Sequence, residues 1–224
     1  GGHRLILATW DSRRAGAWGV RFPFPPPYKI TIMPLLKMPR KLRKNNLWYK
    51  RVWAYSKFVH WLEQNGYGDV HVLFFDHGDV LMNTCRGHIV DRFLALNASV
   101  VFGAETGCQG SIEMGAPMNN TPSEYCTGLE VIAARDFKAL VHAPLDPQKC
   151  PVPLRCGKYV YLNAGFLMGR ARNLANMYEA SRGLIGWDSN FFVDQLLMTK
   201  IYLQRHDPVF AGITMVLDYA GILV

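Results

Sequence analysis

Two carboxylates, Asp76 and Asp79, stand directly after the apolar run Val70–Phe75. Carboxylate oxygens grouped at this spacing suit a hard divalent cation such as Mn²⁺ or Mg²⁺, which keeps positions open for phosphate oxygens. The alternative is a turn that merely caps the run, since Asp and Gly are common turn residues. His77 lies between the two and reads as an exposed or supporting side chain. Other polar groups follow apolar runs in the same way: Glu105 after Val100–Ala104, Asn163 after Val160–Leu162, and Asp218 after Met215–Leu217.

The run before Asp76 is rich in β-branched and aromatic residues, which predicts a strand buried on both faces. A strand ending in Asp-x-x-Asp delivers its acids to the lip of a sheet, where open α/β sheets bind ligands. Further strands are predicted at Leu5–Ala8, Tyr28–Ile32, Ser99–Ala104, Tyr159–Leu162 and Ile213–Leu217. Helices are predicted at Asn46–Gln64, Arg86–Leu96, Leu174–Ser181 and Ser189–Leu203, with a short helical patch at Glu130–Leu140. Alternating strands and helices predict an α/β sheet with a nucleotide crevice at its carboxyl edge. One domain spanning 1–224 is expected, with a Cys/Pro/Gly-rich insertion at about 106–157 where periodicity dissolves.

The composition, 50% hydrophobic and 19% charged, excludes a disordered chain. No apolar run approaches the ~18 residues of a transmembrane helix, so no span is expected. The net charge of +8 is concentrated in residues 37–51, which hold seven Lys and Arg and no acid. Such a cluster can hold phosphates, nucleic acid or an acidic surface, or simply solvate a loop. Trp48, Tyr49 and Trp53 interleave with it as base-stacking residues would. Yet Trp53, Tyr55, Phe58, Val59 and Leu62 keep helical spacing and are expected in the core.

The five cysteines form no Cys-x-x-Cys, which argues against structural zinc. Cys108, Cys126, Cys150 and Cys156 share the Gly/Pro-punctuated stretch, as disulfides in an oxidising compartment would. At least two of these four are expected to be bonded, with Cys150 and Cys156 a plausible closure. With the sequons at Asn97 and Asn119 they favour the secretory pathway, the ER or Golgi lumen, over cytoplasm or nucleus. The start Gly1-Gly2-His3, with no initiator Met, reads as a processed end.

In order, HVLFFDHGDVLM (71–82), VVFGAE (100–105), GKYVYLNAGFLMG (157–169), VDQLLMTKIYL (193–203) and ITMVLD (213–218) make up one set of signals. The set resembles the metal-dependent GT-A glycosyltransferases, most closely the glycosyltransferase domain of procollagen lysyl hydroxylases and collagen glycosyltransferases. The likeness covers about 70–224, with weaker matches at 3–10 and 47–59.

The resemblance implies a GT-A-like, Rossmann-like mixed sheet flanked by helices. The implied reaction is metal-dependent transfer of a hexose, glucose or galactose, from a UDP-sugar to a hydroxyl on a hydroxylysine-type protein or a glycan acceptor. Asp76 and Asp79 would bind Mn²⁺ (or Mg²⁺) or organise its shell, with Asp218 a further candidate ligand. Thr9, Trp10, Lys50, Asp76, Ala164 and Gly165 would contact the donor, and Asn163, Asp194 and Gln195 would carry out the transfer.

Three departures accompany the likeness. Tyr219 stands where the family has a metal-binding histidine, so Tyr219→His would restore that ligand. Asn190–Val193 replaces all but the last acid of an acidic run. The chain ends at Val224, where family members continue. These departures favour two alternatives: a non-catalytic pseudo-glycosyltransferase binding module, or a transferase with a changed acceptor, including modified nucleic acid. A hydrolase or phosphoesterase using the same carboxylates would normally need a His-rich ligand set, and the seven histidines do not group that way.

Overall fold

The computed structural model describes residues 5–9, 29–32, 47–76, 89–108, 124–140, 160–185, 194–219 and 223. In chain order the elements are β1 (Leu5–Thr9), β2 (Lys29–Ile32), α1 (Leu47–Gln64), β3 (His71–Phe75), α2 (Ile89–Ala95) and β4 (Val100–Glu105). They continue with α3 (Glu124–Leu140), β5 (Tyr161–Arg170), α4 (Ala171–Ile185), α5 (Asp194–Leu203) and β6 (Met215–Leu217). The strands form one sheet in the order β2–β1–β3–β5–β4–β6. β5 runs antiparallel to both neighbours, and the other pairings are parallel. The expected mixed α/β sheet flanked by helices is present.

β3 explains the core. Val72 and Phe74 enter one hydrophobic cluster, while Leu73 and Phe75 enter the cluster on the opposite face. This period-two alternation is why a strand covered on both sides reads as an unbroken apolar run. The first face is covered by α1 through Val52, Tyr55, Val59 and Leu62, by α4 through Leu174 and Tyr178, and by α5 through Leu197 and Ile201. The other face is covered by Val90 and Phe93 of α2. Trp53 packs partly buried against the first cluster, so the aromatics of α1 belong mainly to the core, as their spacing predicts.

Local sequence accounts for most boundaries. α1 stops at Asn65-Gly66, where Gly66 takes φ +80 and the Tyr67 amide closes the end on the Leu62 carbonyl at 2.8 Å. His71 is buried with its ring edge-on to Phe93, a packing role. Three elements are clearly longer than predicted, among them α4, which spans Ala171–Ile185 where Leu174–Ser181 is expected. α3 begins at Glu124, not near Glu130, because Tyr125, Cys126 and Leu129 extend its pattern toward the N-terminus. β5 runs without a break from Tyr161 to Arg170, through the small residues that read as a strand end.

β5 survives those small residues because it carries a bulge. Phe102 pairs with Leu167, but the next β4 residue, Gly103, pairs with Asn163. The extra β5 residues, Ala164 to Phe166, bend the strand at the edge where the carboxylates collect. Gly103 is required there, since a Cβ on it would lie 2.8 Å from the Phe166 Cβ.

Candidate functional site

Parallel strands β1, β3, β4 and β6 all end at one edge of the sheet, and antiparallel β5 begins there. That topology brings Thr9, Asp76, Glu105 and Asp218 to the same edge as Asn163. Asp194 and Gln195 join them from the first turn of α5, where Asp194 Oδ1 accepts from the Gln195 amide at 2.8 Å. An acid suits this position because the helix N-terminus carries partial positive charge.

Arg51 ties the edge together. Its guanidinium forks, with Nη1 donating to Asp76 and Nη2 donating to Asp194. Arg51 and Asp194 are buried and Asp76 is partly exposed. Burial works against the Arg51 charge, but Asp194, Tyr55 and Asp76 outweigh it and leave the guanidinium above its ordinary pKa. Burial pushes the Asp194 carboxyl up, and the Asp76 charge adds to this, while Arg51 pulls it back only in part. Tyr55, one helical turn from Arg51 and stacked on Phe74 at 4.0 Å, is raised well above the usual phenol value by burial.

A second network adjoins the first. Glu105 accepts from Gln195 Nε2 through one oxygen and from Asn163 Nδ2 at 3.3 Å through the other. Burial raises the Glu105 carboxyl above its ordinary value, and the two amide contacts oppose that shift. Asn163 Oδ1 accepts from the Gly165 amide at 2.6 Å, which fixes the bulge. A Cβ on Gly165 would lie 2.8 Å from both Asn163 Oδ1 and Asp76 Oδ2, so only glycine fits between the networks. Beside Gln195 lies a recess lined by Tyr125, Leu129, Tyr161 and Thr199.

Of the residues expected from sequence, Asp76, Asn163, Gly165, Asp194 and Gln195 come together. Ala164 instead packs partly buried against the core. Thr9 is buried at the end of β1, and its Oγ1 has no hydrogen-bond partner among the described residues. Lys50 lies in α1, one residue from Arg51, while Trp10 and Asp79 fall outside the described residues. Asp218 is buried, and its Oδ2 accepts from the Leu223 amide at 2.7 Å. Tyr219 is also buried, with its hydroxyl 3.2 Å from that of Tyr202.

The described residues do not by themselves fit a divalent cation. Among them, no three His, Cys, Asp or Glu side chains group closely enough to hold one. Asp76 faces a guanidinium, and one Asp218 oxygen is taken by a backbone amide.

Sequence reasoning missed Arg51, which it read as part of a surface basic run. Its signal was helical phase: Arg51 shares a face with Tyr55 and Val59, at i+4 and i+8, both buried. Glu105 was visible only as the end of a strand. A disulfide joins Cys108, just beyond β4, to Cys126 in α3, so two of the four insertion cysteines are bonded. Cys150 and Cys156, the closure favoured by spacing, lie outside the described residues.

Comparison with protein-family models gives no match, and comparison with curated proteins gives none either. Among the described residues no helix is long and apolar enough to cross a membrane.

Proposed function

We propose that this chain is a GT-A-like glycosyltransferase that moves a hexose from a UDP-sugar to a hydroxyl acceptor. The observation that carries this reading is the convergence of Asp76, Glu105, Asn163, Asp194 and Gln195 on one carboxyl edge of a mixed sheet. Two networks that share Gly165 hold them there. Ligands bind α/β sheets in the crevice outside this edge. The order of the polar signals along the chain supports the same reading.

In the transfer, the bond from the anomeric carbon to the β-phosphate oxygen breaks, a bond to the acceptor oxygen forms, and the acceptor's proton leaves. Glu105 is the group placed to take that proton. Its carboxyl is raised, and Asn163 and Gln195 hold it in one orientation. Asp194, fixed by Arg51, faces the same edge and would orient sugar hydroxyls. Acceptors of this kind, a protein or a glycan, are found in the secretory pathway, and the Cys108–Cys126 disulfide suits an oxidising compartment.

A second reading, a non-catalytic module that binds a nucleotide sugar, is favoured by the pairing of Asp76 with Arg51 and by the burial of Tyr219. One experiment separates the two. UDP-glucose and UDP-galactose are titrated by calorimetry, and UDP release is then measured with hydroxylysine-containing and glycan acceptors. Binding with release supports the transferase, and binding without release on any acceptor supports the module. No binding of either donor ends both.

A further inference from the structure

Arg51 holds Asp76 through one arm of its guanidinium. Its two terminal nitrogens reach separate carboxylates, Asp76 at the end of β3 and Asp194 at the start of α5. A guanidinium is the side chain suited to this, because its planar fork offers donors in two directions and keeps its charge when buried. A divalent cation on Asp76 would sit within a few ångströms of that charge. Like charges at such range repel, more strongly where water is partly excluded.

Of the other donors implied for an ion, Asp79 lies outside the described residues, and the two that are described point the same way. Asp218 gives one oxygen to the Leu223 amide, and residue 219 is a phenol buried against Tyr202. We propose that Arg51 is the resident cation of this site, holding Asp76 and Asp194 in place of a divalent metal, so that the UDP moiety binds with no metal ion on Asp76. The identity of the ligand rests on the function proposed above. The claim about Asp76 does not.

Removing Arg51 should then create the metal site that it replaces. It leaves two carboxylates that one ion can bridge, the hard-oxygen arrangement that Mn²⁺ takes. The test is Mn²⁺ titration of the full chain by electron paramagnetic resonance, with UDP calorimetry in EDTA and in Mn²⁺ as a separate arm. The expected result is that Asp76→Asn leaves the Mn²⁺ affinity of the parent chain unchanged. Arg51→Met should bind Mn²⁺ about tenfold or more tightly than the parent, and the gain should vanish in Arg51→Met/Asp76→Asn. UDP should bind equally in EDTA and in Mn²⁺.

An Asp76→Asn chain that loses tenfold or more in Mn²⁺ affinity overturns the proposal, as does UDP binding that disappears in EDTA. Should Arg51→Met fail to fold, the Asp76→Asn comparison on the parent chain still decides. UDP that binds under neither condition refutes the glycosyltransferase reading alone, and the Mn²⁺ titrations judge Arg51 separately.

Discussion

Asp76 and Gly165 meet twice. The Asp76 amide donates to the Gly165 carbonyl at 2.9 Å, and the space where a Gly165 Cβ would stand is held by the Asp76 carboxylate, at 2.8 Å. The backbone contact fixes the end of β3 against the bulge of β5, and the missing side chain lets the carboxylate fold back over it. Gly165→Ala should therefore displace Asp76 or Asn163 and cost about 1–3 kcal/mol, the usual penalty for overpacking. Denaturant unfolding checks the stability. UDP-sugar calorimetry should show weaker binding, and a variant with parent stability and parent affinity would remove Gly165 from the site.

Arg51→Met should be more damaging, since it strands Asp194 as a buried carboxylate with its cation gone. Breaking a buried pair from one side costs about 3–5 kcal/mol. The triple variant R51M/D76N/D194N should recover much of that loss, because no unmatched charge then remains. Arg51→Lys should fall between, keeping the charge but losing the fork. Urea unfolding of the three proteins checks this. A triple variant no more stable than R51M would show that Arg51 matters through packing.

The Glu105 carboxyl is raised above 4.5, chiefly by burial, so the fold favours its protonated form. The sign follows from linkage: this contribution is fully present below the unfolded pKa and is lost as pH rises through the higher folded value. Glu105→Gln, which cannot ionise, should lack that loss. Melting temperatures of the two proteins compared from about pH 4 to 7 should show the parent falling relative to the variant. Parallel curves would mean that Glu105 carries no excess proton in the fold.

Cys108 and Cys126 close a loop with a sequence separation of 18, and they tether the exit of β4, just beyond Glu105, to α3. A loop near this length gives about 3 kcal/mol in the chain-entropy picture. The C108S/C126S protein should lose about that much, and reductant should lower the melting temperature of the parent but not of the variant. Mass spectrometry after alkylation without reductant should leave these two cysteines unlabelled. Labelling of both would end the assignment.

How much of this was legible in the sequence follows from which interactions are local. The unbroken apolar run of β3, helical spacing from Tyr55 to Leu62 and the Asn65-Gly66 stop are near-neighbour patterns, and each appears where the sequence puts it. The strands that carry Asp76, Glu105 and Asp218 are likewise apolar runs that end in an acid, so the candidate carboxylates could be named before their meeting place was known. By contrast, β5 read as broken at Asn163. Small residues lower strand propensity locally, and only pairing with β3 on one side and β4 on the other carries the strand through its bulge.

Arg51 marks the same boundary within the site. In the sequence it is the last member of a basic run, and a charge beside Lys50 reads as solvated. Its inward direction is set by packing, because α1 must turn Val52, Tyr55 and Val59 to the sheet and Arg51 lies on that side of the helix. Its two partners come from β3 and α5, elements that no local pattern links. The sequence by itself determined which side chains could do chemistry and which elements would carry them. Tertiary structure alone decided that Asp76 and Asp194 share one cation and that Tyr219 turns into the core, since burial and pairing across the sheet act between residues far apart in the chain.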